Sequence, residues 1–288
     1  MNKDNQQLAA FARWLEEQNK AGRTVENYVA DAKRLLRFRG GEAEALTRQD
    51  MKQFLQVMEE EGYRPATINK AVISLRMFDR FLMETTGREA PLIQLKRDRV
   101  TEAQRGIDVL AAKEVEALTE AARKPTVSQR DRAVLFTFLY TGMRVSEAAG
   151  LQVRDVDLLR RMLHVRGKGG KHREVPMHGK VAVELGTYLE DERASSSHAE
   201  SPFCFLSQRG VRMYRDTLNQ IVKRIGLEAE LTVHPHLLRR TFASQLLEQG
   251  TDLLLISHYL GHHSVTVSAK YYLQHSTAFR QEQIDRLP

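Results

Sequence analysis

Met162-Leu163-His164-Val165-Arg166-Gly167-Lys168-Gly169-Gly170-Lys171-His172-Arg173-Glu174-Val175-Pro176-Met177 is the stretch that decides the fold. Met162 to Arg166 and Arg173 to Met177 read as two strands, and the glycines and lysines between them read as their turn. The segments on either side have helical periodicity, so the chain is expected to be mainly α with one small β-sheet. From 160 to 173 it carries Arg160, Arg161, Arg166, Lys168, Lys171 and Arg173 and no acidic residue. Such a tip is either ordinary solvated surface, as charge runs usually are, or a glycine-rich loop that brings Lys168 close to the backbone of a polyanion.

Working outward, Ala112 to Ala122 and Gln129 to Tyr140 precede the hairpin as helices. Helices are expected after it at about 180–194, 211–226, 237–249 and 252–260, with a serine-rich loop from Ala194 to Ser201. Together these define an α/β unit over 107–288. Residues 1–88 read differently. Leu8, Phe11, Ala12 and Leu15 follow the i, i+3, i+4, i+7 pattern. Thr24 is placed to cap a second helix carrying Tyr28, Leu35 and Leu36. Thr47-Arg48-Gln49-Asp50 resembles a capping box, with Asp in place of Glu, before Met51, Phe54, Leu55 and Met58. Pro65 starts a fourth helix with Ile68, Val72, Leu75, Phe78 and Leu82 on one face. Four short amphipathic helices make a compact helical domain. Between the two lies 89–106, read as a basic linker with Pro91, Lys96, Arg97, Arg99 and Arg105, either a solvated loop or a strap along a phosphate backbone.

The bulk numbers agree without deciding. The chain has 288 residues, 42% hydrophobic, enough for one large or two modest domains. A net charge of +7 and a pI near 9.5 favour a polyanionic partner. The single cysteine, Cys204, excludes a disulfide framework within the chain and reads as a buried small hydrophobe in a reducing cytoplasm. The polar start, Met1-Asn2-Lys3-Asp4-Asn5, has no signal-peptide character, and no apolar run approaches a membrane span.

The chemistry-bearing residues gather in the second half. Arg144 lies in Thr141-Gly142-Met143-Arg144-Val145-Ser146-Glu147. His236 and Arg239 lie in His234-Pro235-His236-Leu237-Leu238-Arg239-Arg240, three apart and therefore on one face near a helix start. Free amides and the helix dipole suit an anion there; a capped helix with a structural histidine is the bland alternative. His262 closes Leu260-Gly261-His262, and Tyr271 follows nine residues later. His258 and His262 have the i, i+4 spacing of metal ligands, but no matched set of three or four donors accompanies them, so no metal is expected. Arginines, a lysine and histidines polarise a phosphodiester, and a tyrosine can attack one.

In their order and spacing these five segments resemble the tyrosine recombinases of the phage integrase family, with an Xer-like layout, over nearly the whole chain. The resemblance implies a core-binding domain, a linker and a catalytic domain with a C-terminal tail. It also implies roles. Arg144 and Arg239 would clamp the non-bridging oxygens of the scissile phosphate, with Glu147 orienting Arg144 from behind. Lys168 would protonate the leaving 5′-oxygen, His236 would help take the nucleophile's proton, and His262 would add a hydrogen bond to the phosphate. Tyr271, selected over Tyr272 by its spacing from His262, would attack to give a 3′-phosphotyrosine and a free 5′-hydroxyl. The covalent bond conserves the phosphodiester's energy, so no cofactor is expected. Lys96, Arg97, Arg99, Arg166, Lys171 and Arg173 are expected to bind DNA.

The partner implied is double-stranded DNA with paired inverted half-sites. It would be bound by a homo-tetramer formed from free monomers, with DNA-bending accessory proteins a further expectation, in the cytoplasm on the bacterial nucleoid. Residues 276–288 are expected to dock on a neighbouring protomer. The competing readings are a type IB topoisomerase, a DNA-binding protein without catalysis, and a histidine-metal enzyme.

Overall fold

The structure, a computed structural model, describes residues 3–41, 43–101, 108–167, 170, 172–207 and 209–261. The chain divides into two compact units, Met1–Gln104 and Arg105–Pro288. Among the described residues no helix is long and apolar enough to cross a membrane.

The first unit is built on α1 (Lys3–Glu17), α2 (Gly22–Arg39), α3 (Arg48–Glu60) and α4 (Pro65–Thr86). The capping box at α3 is present: Asp50 N donates to Thr47 Oγ1 at 3.2 Å and Thr47 N donates to Asp50 Oδ2 at 2.8 Å. Pro65 holds the first position of α4, where its missing N–H costs no helical bond. The expected cap at Thr24 is displaced. α2 begins at Gly22, because the carbonyl of Ala21 already accepts from the amides of Thr24 and Val25. Phe11, Leu15, Leu35, Met51, Ile68, Leu75 and Phe78 are fully buried, each worth roughly 1.5–3 kcal/mol over an exposed side chain. The rings of Phe11 and Phe78 meet edge to face at 5.0 Å.

The segment expected as a linker is, through Val100, part of this unit's packing. Leu92 and Ile93 are core residues. Their amides donate to Asp79 Oδ2 at 2.8 and 3.0 Å, and Arg88 pairs with the same buried carboxylate. A buried carboxylate requires such donors, so Asp79 pins the chain that leaves α4. A short helix, α5 (Leu95–Asp98), follows, and Asp98 pairs with Arg48. Val100 then exchanges two hydrogen bonds of 3.0 Å with the side chain of Asn69. Lys96, Arg97 and Arg99 stand exposed on this pinned strap, and residues 102–106 lie outside the described residues.

The second unit contains α6 (Ala112–Ala122), α7 (Gln129–Thr141), α8 (Val145–Gly150), α9 (Gly179–Glu190), α10 (Arg215–Glu228), α11 (Pro235–Glu248) and α12 (Leu253–Leu260). α7 packs against α6, α9, α10 and α11, and it is correspondingly apolar on nearly every side, with Ala133, Val134, Leu135, Phe136, Phe138 and Leu139 all at 0% exposure. Cys204 is buried in the same core, where burial pushes its thiol up to about 12. The sheet is antiparallel in the order β1 (Val156–Asp157), β2 (Met162–Arg166), β3 (His172–Pro176). Leu163 pairs with Val175 and Val165 with Arg173. Leu163, Val165 and Val175 face the core, so the alternation of the strand aims Arg173 inward as well. The mainly helical fold with one small sheet is therefore as the sequence implies.

Candidate active site

The site begins where α7 stops. Gly142 ends that helix at φ +60°, a conformation glycine adopts without strain. A Cβ here would lie 2.6 Å from Phe242 Cδ1 and 2.8 Å from Leu260 Cδ2. Only a bare backbone lets α11 and α12 close against this corner. The chain then turns at once into α8, with Arg144 as its N-cap residue. The carboxylate of Glu147 accepts the Arg144 amide at 2.8 Å, satisfying one of the free donors of the helix start.

Glu147 is a buried hub. Its Oε1 accepts from Arg144 Nη1 at 2.9 Å and from Arg173 Nη1 at 2.8 Å, and its Oε2 accepts from Arg173 Nη2 at 2.9 Å. Burial pushes the carboxyl up. The hydrogen bonds from Arg173 and the Arg144 amide, with the charge of Arg173, outweigh it and hold the group below the ordinary glutamate value. Glu147 thus holds both the amide and the guanidinium of Arg144.

The two arginines expected to clamp a phosphate come from distant segments and meet at one helix end. Arg144 Nη2 donates to the carbonyl of Gly261 at 2.7 Å. Arg239, on the second turn of α11, is 4% exposed; its Nη1 donates to the carbonyl of Gly142 at 2.6 Å and its Nη2 to that of Leu260 at 2.7 Å. The carboxyl end of a helix carries partial negative charge, so the last turn of α12 is a favourable seat for guanidinium groups. The Arg144 side chain remains 37% exposed, which leaves its outer edge open to solvent.

α11 is capped by His234, whose Nδ1 accepts the Leu237 amide at 3.1 Å, and Pro235 opens the first turn. His236 stacks on His234, ring centroids 6.5 Å apart, and presents an exposed residue one turn before Arg239. Partial burial of the ring, then the charges of Arg240 and Arg239, hold the His236 imidazole below the ordinary histidine value. It is therefore suited to being neutral, and able to accept a proton, at neutral pH.

One expectation is corrected. Arg173 is not a DNA-facing base: its side chain is 7% exposed, two of its nitrogens are held by Glu147, and its Nε donates to the carbonyl of Tyr259 at 2.8 Å. Its inward face on β3 accounts for this, and the signal was in the sequence, since Val175 two residues on must face the core. Arg166, on the other face of the hairpin, is exposed. Lys168, Lys171, His262, Tyr271 and the tail 276–288 lie outside the described residues. Among the described residues no group of three or more His, Cys, Asp or Glu is placed to hold a metal ion. What the sequence reading missed altogether is the part played by backbone: the carbonyls of Gly142, Tyr259, Leu260 and Gly261 hold the three arginines.

Residues 108–278 match the phage integrase family, and residues 4–86 match the phage integrase N-terminal SAM-like domain. The tyrosine recombinase XerC of Oceanobacillus iheyensis is 33% identical over 94% of this chain and 92% of its own length. That of Bacillus licheniformis is 34% identical over 92% and 90%. Among solved structures, the XerA recombinase is 26% identical with a TM-score of 0.57 and covers 99% of this chain and all of its own. The Tn1549 transposon integrase, in complex with transposon right end DNA, shares the fold with a TM-score of 0.78 at 20% identity, over 97% of this chain and 98% of that one.

Proposed function

Because the chain belongs to the phage integrase family, as a tyrosine recombinase of the Xer type, we propose that Arg144, Lys168, His236, Arg239, His262 and Tyr271 are its catalytic residues, acting at a specific site in duplex DNA. The observation that carries this reading is the meeting of Arg144 and Arg239 on the carbonyls of Gly261 and Leu260 at the end of α12, immediately before His262 in the chain. A pair of guanidinium groups fixed by buried partners is what a phosphoryl transition state requires. Negative charge grows on the non-bridging oxygens, and cations already in place stabilise it without reorganising.

The Tyr271 oxygen attacks phosphorus and gives up its proton with the help of neutral His236. The bond from phosphorus to the 5′-oxygen breaks, and Lys168 supplies that oxygen with a proton. The products are a 3′-phosphotyrosine and a free 5′-hydroxyl. The 5′-hydroxyl of a second strand then displaces the tyrosine by the reverse of these steps, and a second round on the other strand pair resolves the Holliday junction. The number of phosphodiester bonds is unchanged, so neither ATP nor a cofactor is required.

We assign the helical unit, with the strap carrying Lys96, Arg97 and Arg99, to gripping the duplex. Paired inverted half-sites and a tetramer on DNA follow from the symmetry such exchange needs, and a solved relative, lambda integrase, has been captured as a tetramer bound to a Holliday junction. The protein works in the cytoplasm, where the nucleoid lies.

The test is a nicked duplex built on the sequence that the wild-type chain selects from a random duplex pool. Tyr271→Phe should bind it as wild type does and form no covalent adduct, whereas Tyr272→Phe should still form one. An adduct made by the Tyr271 variant and lost in the Tyr272 variant would transfer the role to the neighbour; an adduct from the double variant would reject both tyrosines as the nucleophile.

A further inference from the structure

We propose that Arg173 is a positioning residue for strand cleavage, acting through Glu147 and the end of α12 rather than through any contact with DNA. This rests on the catalytic reading of Arg144 and Arg239. The last two carbonyls of α12 and that of Gly261, its cap, each seat a different arginine: Tyr259 O takes Arg173 Nε, Leu260 O takes Arg239 Nη2, and Gly261 O takes Arg144 Nη2. Two of these arginines belong to the proposed phosphate clamp. The third is buried, with its guanidinium nitrogens committed to Glu147 and Tyr259.

Arg173 is the residue that joins the pieces. It sits on β3, the strand that leaves the glycine-rich turn of Lys168. Its fork holds Glu147, which in turn holds both the amide and the guanidinium of Arg144. Its Nε fixes the last turn of α12, from which the chain runs on to His262 and Tyr271. The guanidinium also lies against Gly261: a Cβ there would come within 2.9 Å of Arg173 Nη1 and 3.0 Å of its Cζ. Gly261 is thus required twice, for its φ of +62° and for the space Arg173 fills. Lysine cannot replace this arginine, because one ammonium cannot make a two-pronged pair with Glu147 and reach Tyr259 O in the same plane.

Arg173→Lys keeps the charge beside Glu147 and loses the fork. On the nicked duplex defined above it should bind as wild type does, with an unchanged dependence of affinity on salt, since no phosphate contact is lost. Its rate of adduct formation should fall about 10²-fold, the loss that a misplacement of about 1 Å in catalytic groups can cost. The discriminating readout is a second probe in which the scissile phosphate is a methylphosphonate. A methyl group then replaces one non-bridging oxygen and removes the negative charge, so less is asked of the arginine clamp. The defects of Arg144→Ala and Arg173→Lys should both shrink on this probe.

A salt slope lowered by about 1 would make Arg173 a phosphate contact and overturn the proposal. So would an equal defect on both probes, which is the mark of general loosening. Should Arg173→Lys not fold, the neutral pair Glu147→Gln with Arg173→Gln carries the same expectation of slow cleavage restored by methylphosphonate, and equal defects there overturn it too. Wild-type cleavage by Arg144→Ala would instead overturn the catalytic reading itself.

Discussion

Replacing Glu147 with glutamine changes one atom and tests how the arginine site is held. The carboxylate is 3% exposed and takes four hydrogen bonds, from Arg144 N and Nη1 and from Arg173 Nη1 and Nη2. Glutamine keeps the shape, offers one acceptor oxygen in place of two, and turns an N–H₂ toward donors. Arg173 is left as a buried cation without its counter-charge. Breaking a buried pair from one side costs about 3–5 kcal/mol. For a unit of this size each kcal/mol lowers the melting temperature by about 2–4 °C, so the expected drop is about 6–20 °C.

Scanning calorimetry at pH 7 reads the loss. Trp14, the one tryptophan in the chain, lies in the first unit and marks its transition by fluorescence, so the shifted transition can be assigned. Adding Arg173→Gln removes the stranded charge, and the double-variant cycle should show a coupling of about 2 kcal/mol or more. The pH dependence has a fixed sign. Glu147 is held below the ordinary glutamate value. Its contribution is therefore complete above that value, about 4.3, and is lost as pH falls through the depressed one. The gap between wild type and variant should accordingly close in acid. A loss under about 1 kcal/mol at pH 7, or strictly additive single losses, would refute the reasoning, because a solvated surface pair behaves that way.

Two further outcomes are expected. Lys168→Ala should be slow on ordinary DNA and largely restored when the bridging 5′-oxygen is replaced by sulfur, a leaving group that needs no proton; equal defects on both strands would reduce Lys168 to a phosphate contact. Arg97→Ala with Arg99→Ala should lower the slope of log affinity against log salt by about 2 without changing the preferred sequence, and an unchanged slope would remove the strap from the DNA interface.

Much of this was legible in the sequence because it is local. A capping box needs four neighbouring residues, Pro65 starts a helix by its own geometry, and the hairpin strands declare themselves by alternation around a glycine-rich turn. What was not legible is what depends on distant partners or on very short elements. α8 is six residues and β1 two, too short for any periodicity to show. The strap through Val100 looked like a linker because its anchor, Asp79, sits inside the preceding helix as a charge amid apolar residues. Arg173 reads as part of the basic run around it, although its partner Glu147 lies 26 residues earlier. The catalytic candidates Arg144, Glu147, His236 and Arg239 were named from motif spacing, but the helix end that gathers the arginines has no side-chain signature at all.

A site held by backbone tolerates change over evolution unevenly. Main-chain carbonyls cannot be mutated away, so substitutions at Tyr259 leave its acceptor in place. What the arginines depend on is the phase of α12. Each residue of an α-helix turns the next carbonyl by about 100°, and one residue inserted or deleted between Asp252 and Gly261 would present every arginine with its neighbour's carbonyl, rotated out of line. The length of this eight-residue helix is therefore under stricter control than most of its letters.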